Sequence, residues 1–190
     1  MAGSSIDTYL NDHLGGAKFG IDLAEQIRDS QEGTPLGDVM KSIAGEIELD
    51  RQSLLGLMER MGTQPNPVKQ ATGWLAEKVS RVKFASTMSG DHGEFMALET
   101  LAMGVEGKAS MWRALKEVAG EYPSLATTNL DELINRAEAQ STIIERERLA
   151  AGRQALNNDE ATTPKRVNPY SAENPPTDPG RPAFESAFAG

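Results

Sequence analysis

Two helix-length stretches near the start of the chain each carry one polar residue within an otherwise apolar stripe. His13 interrupts the first stripe and Asp50 interrupts the second. The positions of each stripe recur every three or four residues, which is the spacing of one buried face of an α-helix. An unpartnered buried polar group costs several kcal/mol, so both residues are expected to have partners or to hold a ligand. The stripes are Ile6, Leu10, His13, Ala17, Gly20, Ala24 and Ile27, and Leu36, Met40, Ile43, Ile47, Asp50, Leu54, Leu57 and Met61.

Capping residues predict where these two helices begin and end. The first helix is expected to start after Ser4 or Ser5 and to run to about Ser30. Thr34 followed by Pro35 is typical of an N-cap and a first helical position. The second helix is therefore predicted over 35–61, with Gly62 ending it.

The rest of the bundle is predicted to contain a broken third region and a long last helix. One stripe is expected to end near Thr87, and the stretch 89–93, which contains His92, is expected to form a loop. A helix with inward-facing apolar residues should follow to about Val118, and the last helix should open near 127–129 and continue to about Leu156. The first of these stripes consists of Val68, Ala71, Leu75, Val79 and Val82.

The helical patterns and short links together predict the fold class. Nothing in the sequence alternates with period two over more than a few residues, so the chain is expected to be all-α. Long helices joined by short links pack as antiparallel neighbours, which favours an up-and-down four-helix bundle. We expect this bundle to occupy residues 1–157.

The C-terminal residues differ in composition from the bundle. Residues 158–180 are rich in Asn, Asp, Thr and Pro, which is typical of a disordered linker. In the last segment, 181–190, Phe184 and Phe188 are one helical turn apart. Such a pair resembles the anchors of a helix that lies in an apolar groove, so the tail is expected to bind a protein partner. A dispensable terminus is the alternative.

Composition excludes several classes of function and partner. The formal net charge is −9, whereas a nucleic-acid ligand requires an excess of Lys and Arg. The 190 residues include no cysteine, so disulfides, thiolate metal sites and cysteine nucleophiles are excluded. No apolar run approaches the ~18 residues of a membrane-spanning helix, and no signal peptide is recognisable. We expect a cytoplasmic protein, monomeric or homo-oligomeric.

Three segments carry a resemblance to a known group. They are Tyr9-Leu-Asn-Asp-His13, Glu46-Ile-Glu-Leu-Asp50-Arg51 and the stretch from Glu99 to Trp112. This pattern resembles a group of bacterial ferritin-like proteins over residues 5–155. The resemblance implies a ferritin-like bundle, whereas di-iron members of that fold place a Glu-x-x-His pair on each of two helices. Here the second helix has Glu46 and Asp50, and the only histidine within a helical stripe is His13.

Two interpretations of the polar residues stay open. If His13, Glu46, Asp50 and Glu99 reach the same level of the bundle, they could hold Fe, Mn or Zn. A ferritin-like protein of that kind would handle metal or respond to oxidative stress. Otherwise His13 donates to Asp50, Arg51 or Arg148 neutralises the remaining carboxylate, and the network fixes the register of the bundle. The second interpretation is favoured, so the leading expectation is a non-catalytic protein that binds a partner or assembly.

Overall fold

The computed structural model describes residues 4–66 and 90–162, with side chains as far as residue 157. All regular structure in these ranges is helical, as predicted. The helices are α1 (Ser5–Ser30), α2 (Pro35–Met61), α3 (Asp91–Glu117), the short α4 (Pro123–Ala126) and α5 (Leu130–Thr162), with a 3₁₀ turn at Ala119–Glu121 between α3 and α4.

The capping residues define α1 and α2 as predicted. The Ser4 hydroxyl accepts the Asp7 backbone N–H at 3.3 Å, and the Asp7 carboxylate accepts the Ser4 N–H at 2.9 Å. This reciprocal pair is a capping box, which satisfies two backbone donors at the helix start. The Thr34 hydroxyl accepts the Gly37 N–H at 3.2 Å, and Gly62 ends α2 with a φ of 74°. A positive φ of this size suits glycine at a helix C-terminus.

Two predicted boundaries differ from the structure. The expected loop over 89–93 is wrong in its second half, because α3 begins at Asp91 and His92 lies in the first helical turn. Gly90, with a φ of 91°, precedes the first helical residue. Two acidic residues in the first turn interact favourably with the positive end of the helix dipole. At the other end of the bundle, α5 continues to Thr162, beyond the expected end near Leu156.

The expected up-and-down topology is also wrong, because α2 and α3 run in the same direction. Met40 near the start of α2 shares a cluster with Leu98 near the start of α3, and Leu57 near the end of α2 shares a cluster with Trp112. The backbones approach most closely in two antiparallel pairs, α1 with α2 and α3 with α5. The chain between Gly62 and Gly90 therefore connects opposite ends of helices that are about 40 Å long.

The core consists of two apolar clusters, one toward each end of the bundle. One cluster is centred on Trp112, with Leu10, Leu57 and Leu115 around it. The other contains Leu23, Ile43, Leu98 and Ile144. The buried polar residues near the middle of α2 and α5 lie between these clusters.

No helix in the described ranges is long and apolar enough to cross a membrane. The predicted stripe over 68–82 lies outside the described residues, and so do Phe184 and Phe188.

Candidate functional site

Asp50 is the centre of a buried polar network that joins three helices. Its side chain is 1% exposed, as the apolar stripe on α2 predicted. The Lys108 ammonium of α3 donates to one carboxylate oxygen. The Arg136 guanidinium of α5 donates to the other oxygen through Nε at 2.6 Å and lies 2.5 Å away through a terminal nitrogen. Both oxygens of this carboxylate are therefore bonded to cations.

Gln140 of α5 connects the other members of this network. Its amide nitrogen donates to Glu46 at 3.0 Å and to Asp50 at 3.3 Å, and its oxygen accepts from Lys108. Gln140 is fully buried, so each of these bonds replaces one that the amide would make with water. We refer to Glu46, Asp50, Lys108, Arg136 and Gln140 as the polar network.

The electrostatics of the polar network centre on Lys108. Burial lowers the pKa of its ammonium below the ordinary value, and the neighbouring Asp50 carboxylate opposes this by raising the pKa. A buried charge pair with further hydrogen bonds is costly to break from one side, because the remaining charge is left unpaired. The arrangement is typical of a network that fixes how helices align.

His13 does not join the polar network. Within the described part of the chain no side chain forms a hydrogen bond with its imidazole, which contacts the edge of the Tyr9 ring at 4.7 Å between centroids. Burial lowers the pKa of His13, although the charge of Asp12 opposes this shift. The imidazole and Asp50 line the same cavity between α1, α2 and α3. His13 is therefore an uncharged cavity residue at neutral pH.

Glu99 is also separate from the polar network. It accepts from Arg148 of α5 at 3.2 Å, and Arg148 also pairs with Glu145 at 2.6 Å. Arg148 lies 5.8 Å from the centre of the Phe95 ring. Arg51, the other cation considered for Asp50, pairs instead with Glu48 of its own helix at 2.8 Å. Neither arginine reaches Asp50.

The four predicted metal ligands thus do not come together. Glu46 and Asp50 share Gln140, whereas His13 and Glu99 have other surroundings. Among the residues that the structure describes, no group of three or more His, Asp or Glu side chains could hold a metal ion. The negative charge of Asp50 is already paired with the positive charges of Lys108 and Arg136.

Three members of the polar network were missed by the sequence analysis: Lys108, Arg136 and Gln140. A signal existed for Gln140, because it lies between Ala137 and Ile144 in a stripe of apolar residues at helical spacing on the last helix, which also contains Leu133 and Ala151. Lys108 lies between Val105 and Trp112 on α3, and a lysine side chain is ordinarily exposed to solvent, so its sequence position gave no signal of burial.

Comparison with known proteins adds no family to this description. No family model matches the chain, no curated protein matches it, and no solved structure matches it.

Proposed function

We propose that this protein is a non-catalytic, ferritin-like helical bundle that binds a protein partner, in part through its C-terminal residues. The ferritin-like part of this proposal is supported by the relative directions of the helices. A bundle with two antiparallel pairs and one long connection between parallel helices is the arrangement found in ferritin-like folds.

A metal-handling function is less well supported by the geometry. A metal ion at Glu46 and Asp50 would have to displace Lys108 and Arg136, which already engage both oxygens of Asp50. It would also leave two cations near a divalent ion without their counter-charge, which is unfavourable in a buried site. The polar network therefore favours a structural role.

The observation that carries the partner proposal is an apolar pair on α5. Leu149 is 49% exposed and Leu156 is 57% exposed. They are seven positions apart in the sequence, so they lie on the same side of the helix about 10 Å apart. One exposed leucine needs no explanation, but two on one helical stripe match the anchor spacing of helix-mediated recognition.

The position of this pair connects it to the tail predicted from the sequence. α5 is the last described helix, so Leu149 and Leu156 lie on the element that leads into the C-terminal residues. Phe184 and Phe188 follow beyond the Pro-rich stretch. A partner that contacted both segments would gain from two linked sites on one chain.

Affinity capture from the native host with quantitative mass spectrometry tests this proposal. Three full-length variants are compared with wild type: Leu149→Ser with Leu156→Ser, Phe184→Ala with Phe188→Ala, and Leu49→Ser. The last is the matched control, because Leu49 is 53% exposed but lies on α2. We expect at least one protein to be captured by wild type and the control and lost from both double variants.

Light scattering of the purified chain identifies a second copy as the partner if Leu149→Ser with Leu156→Ser lowers the molar mass. Identical captured proteins and identical molar mass for all four chains would contradict the proposal.

A further inference from the structure

A cavity of about 50 Å³ lies between α1, α2 and α3. Small residues form part of its walls, namely Gly16, Ala17 and Gly20 of α1 and Gly104 and Gly107 of α3. A Cβ atom added at Gly104 or Gly107 would meet nothing within 4 Å. The rest of the lining is mostly apolar, so the cavity offers an apolar site larger than the ~10–15 Å³ that one water needs.

Trp112, one of the residues that line this cavity, carries an unsatisfied buried hydrogen-bond donor. The Trp112 side chain lines the cavity and is fully buried. Among the described residues, its indole Nε1 is the one buried side-chain nitrogen or oxygen without a hydrogen-bond partner. A buried donor without an acceptor costs about 1–3 kcal/mol, and native structures rarely leave one without a reason. An acceptor supplied by a ligand would remove that cost.

The charges around the cavity favour an uncharged ligand. Asp50 and Lys108 line the cavity but neutralise each other, and Arg51 is paired with Glu48. Burial keeps the His13 imidazole neutral at pH 7. An ion placed here would lose its hydration without gaining a free counter-charge. Gly104 is exposed, so it marks the side on which a ligand could enter.

We propose that this cavity binds a small, uncharged, mainly apolar molecule with one carbonyl or hydroxyl oxygen, and that the oxygen accepts a hydrogen bond from Trp112 Nε1. The volume limits the buried part of the ligand to a few heavy atoms, since a cavity of about 150 Å³ is needed to enclose benzene. Short-chain ketones, aldehydes and alcohols are molecules of this class.

Nuclear magnetic resonance of the indole proton tests the proposal directly. Trp74→Phe leaves Trp112 as the only tryptophan, so a single indole signal reports on the cavity. The probes are 2-butanone and 2-methyl-1-butene, which have the same number of heavy atoms but differ in the oxygen. We expect a saturable downfield shift of the indole proton with 2-butanone and no downfield shift with the alkene, because only the ketone offers a hydrogen-bond acceptor.

Glycine substitutions supply the matched controls for this titration. Gly107→Leu and Gly104→Leu, each made in the full-length chain, should abolish the shift because the new side chain fills the cavity. Gly45→Leu should retain it, since a Cβ at Gly45 also meets nothing within 4 Å but lies on α2 away from the cavity.

Three results would overturn the proposal, and the first two need no cavity variant to fold. They are the absence of a saturable shift with 2-butanone, an equal downfield shift with the two probes, and a shift that persists in a folded Gly107→Leu or Gly104→Leu protein. An indole proton already far downfield and insensitive to either probe would show that the chain supplies its own acceptor, which also contradicts it.

Discussion

The polar network and the cavity share Asp50 and Lys108, but their buried polar atoms differ in whether they have hydrogen-bond partners. In the polar network both oxygens of Asp50 and both ends of the Gln140 amide have partners. In the cavity the buried Trp112 donor has none among the described residues. Complete satisfaction indicates a structural role, whereas an unsatisfied donor on a residue that lines a cavity favours a ligand site.

Asp50→Ala should have the largest effect on the polar network. It leaves Lys108 and Arg136 without their carboxylate, so we expect the free energy of unfolding to fall by about 3–5 kcal/mol. Denaturant unfolding followed by circular dichroism measures this. Asp22→Ala, which removes only the exposed ion pair with Lys18, is the matched control and should leave the midpoint nearly unchanged. A mild effect at Asp50 would mean that the polar network contributes little to stability.

A double-mutant cycle should separate His13 from the polar network. We expect His13→Ala to cost about 1 kcal/mol and to couple with Asp50→Ala by less than about 0.5 kcal/mol. Lys108→Met should couple with Asp50→Ala more strongly, by about 1–3 kcal/mol, because these two side chains are bonded. Strong coupling between His13→Ala and Asp50→Ala would instead indicate that His13 belongs to the polar network.

The pH dependence of stability should report the buried imidazole of His13. Because its pKa is lowered in the folded state, the unfolded chain binds more protons below about pH 6.5. The free energy of unfolding should therefore fall as the pH drops from neutral toward and through the folded pKa. Wild type should lose more stability than His13→Asn over this range. Equal profiles for wild type and His13→Asn would contradict the assignment.

Filling the cavity with one methyl group should have the smallest effect. Gly107→Ala places its Cβ in open space and gains helix propensity, so we expect a stabilisation of about 0.5–1 kcal/mol. Gly45→Ala should give a similar gain from propensity alone. Thermal unfolding of the two variants compares them. If Gly107→Ala is destabilising while Gly45→Ala is not, another group already occupies the cavity.

The sequence predicted the helices where local chemistry determines them. Ser4, Thr34 and Gly62 act on their own helix ends, so their positions were sufficient to place α1 and α2. Apolar periodicity likewise predicted that Asp50 is buried. At Gly90 the same reasoning failed, because a glycine that starts a helix and one that belongs to a longer loop have the same local sequence.

The partners of Asp50 could not be predicted, because they depend on how the helices align. His13 and Asp50 each interrupt an apolar stripe, and the sequence does not say which residues on other helices lie at the same level. The parallel direction of α2 and α3 brings Lys108 to Asp50, whereas antiparallel packing would place a different part of α3 there. Gln140 could have been recognised as a buried polar residue, but its contacts could not.

The pairing of helices has a consequence for the folding pathway. α1 with α2, and α3 with α5, are neighbours along the chain, so each pair can form through local contacts with low contact order and in short times. Glu46 and Asp50 belong to the first pair, and Lys108, Arg136 and Gln140 belong to the second. Until the two pairs dock, each carries charges that only the other can neutralise. If the two pairs docked in a shifted alignment, those charges would be buried without partners. Shifted alignments are therefore less stable than the native one, and docking favours the native register.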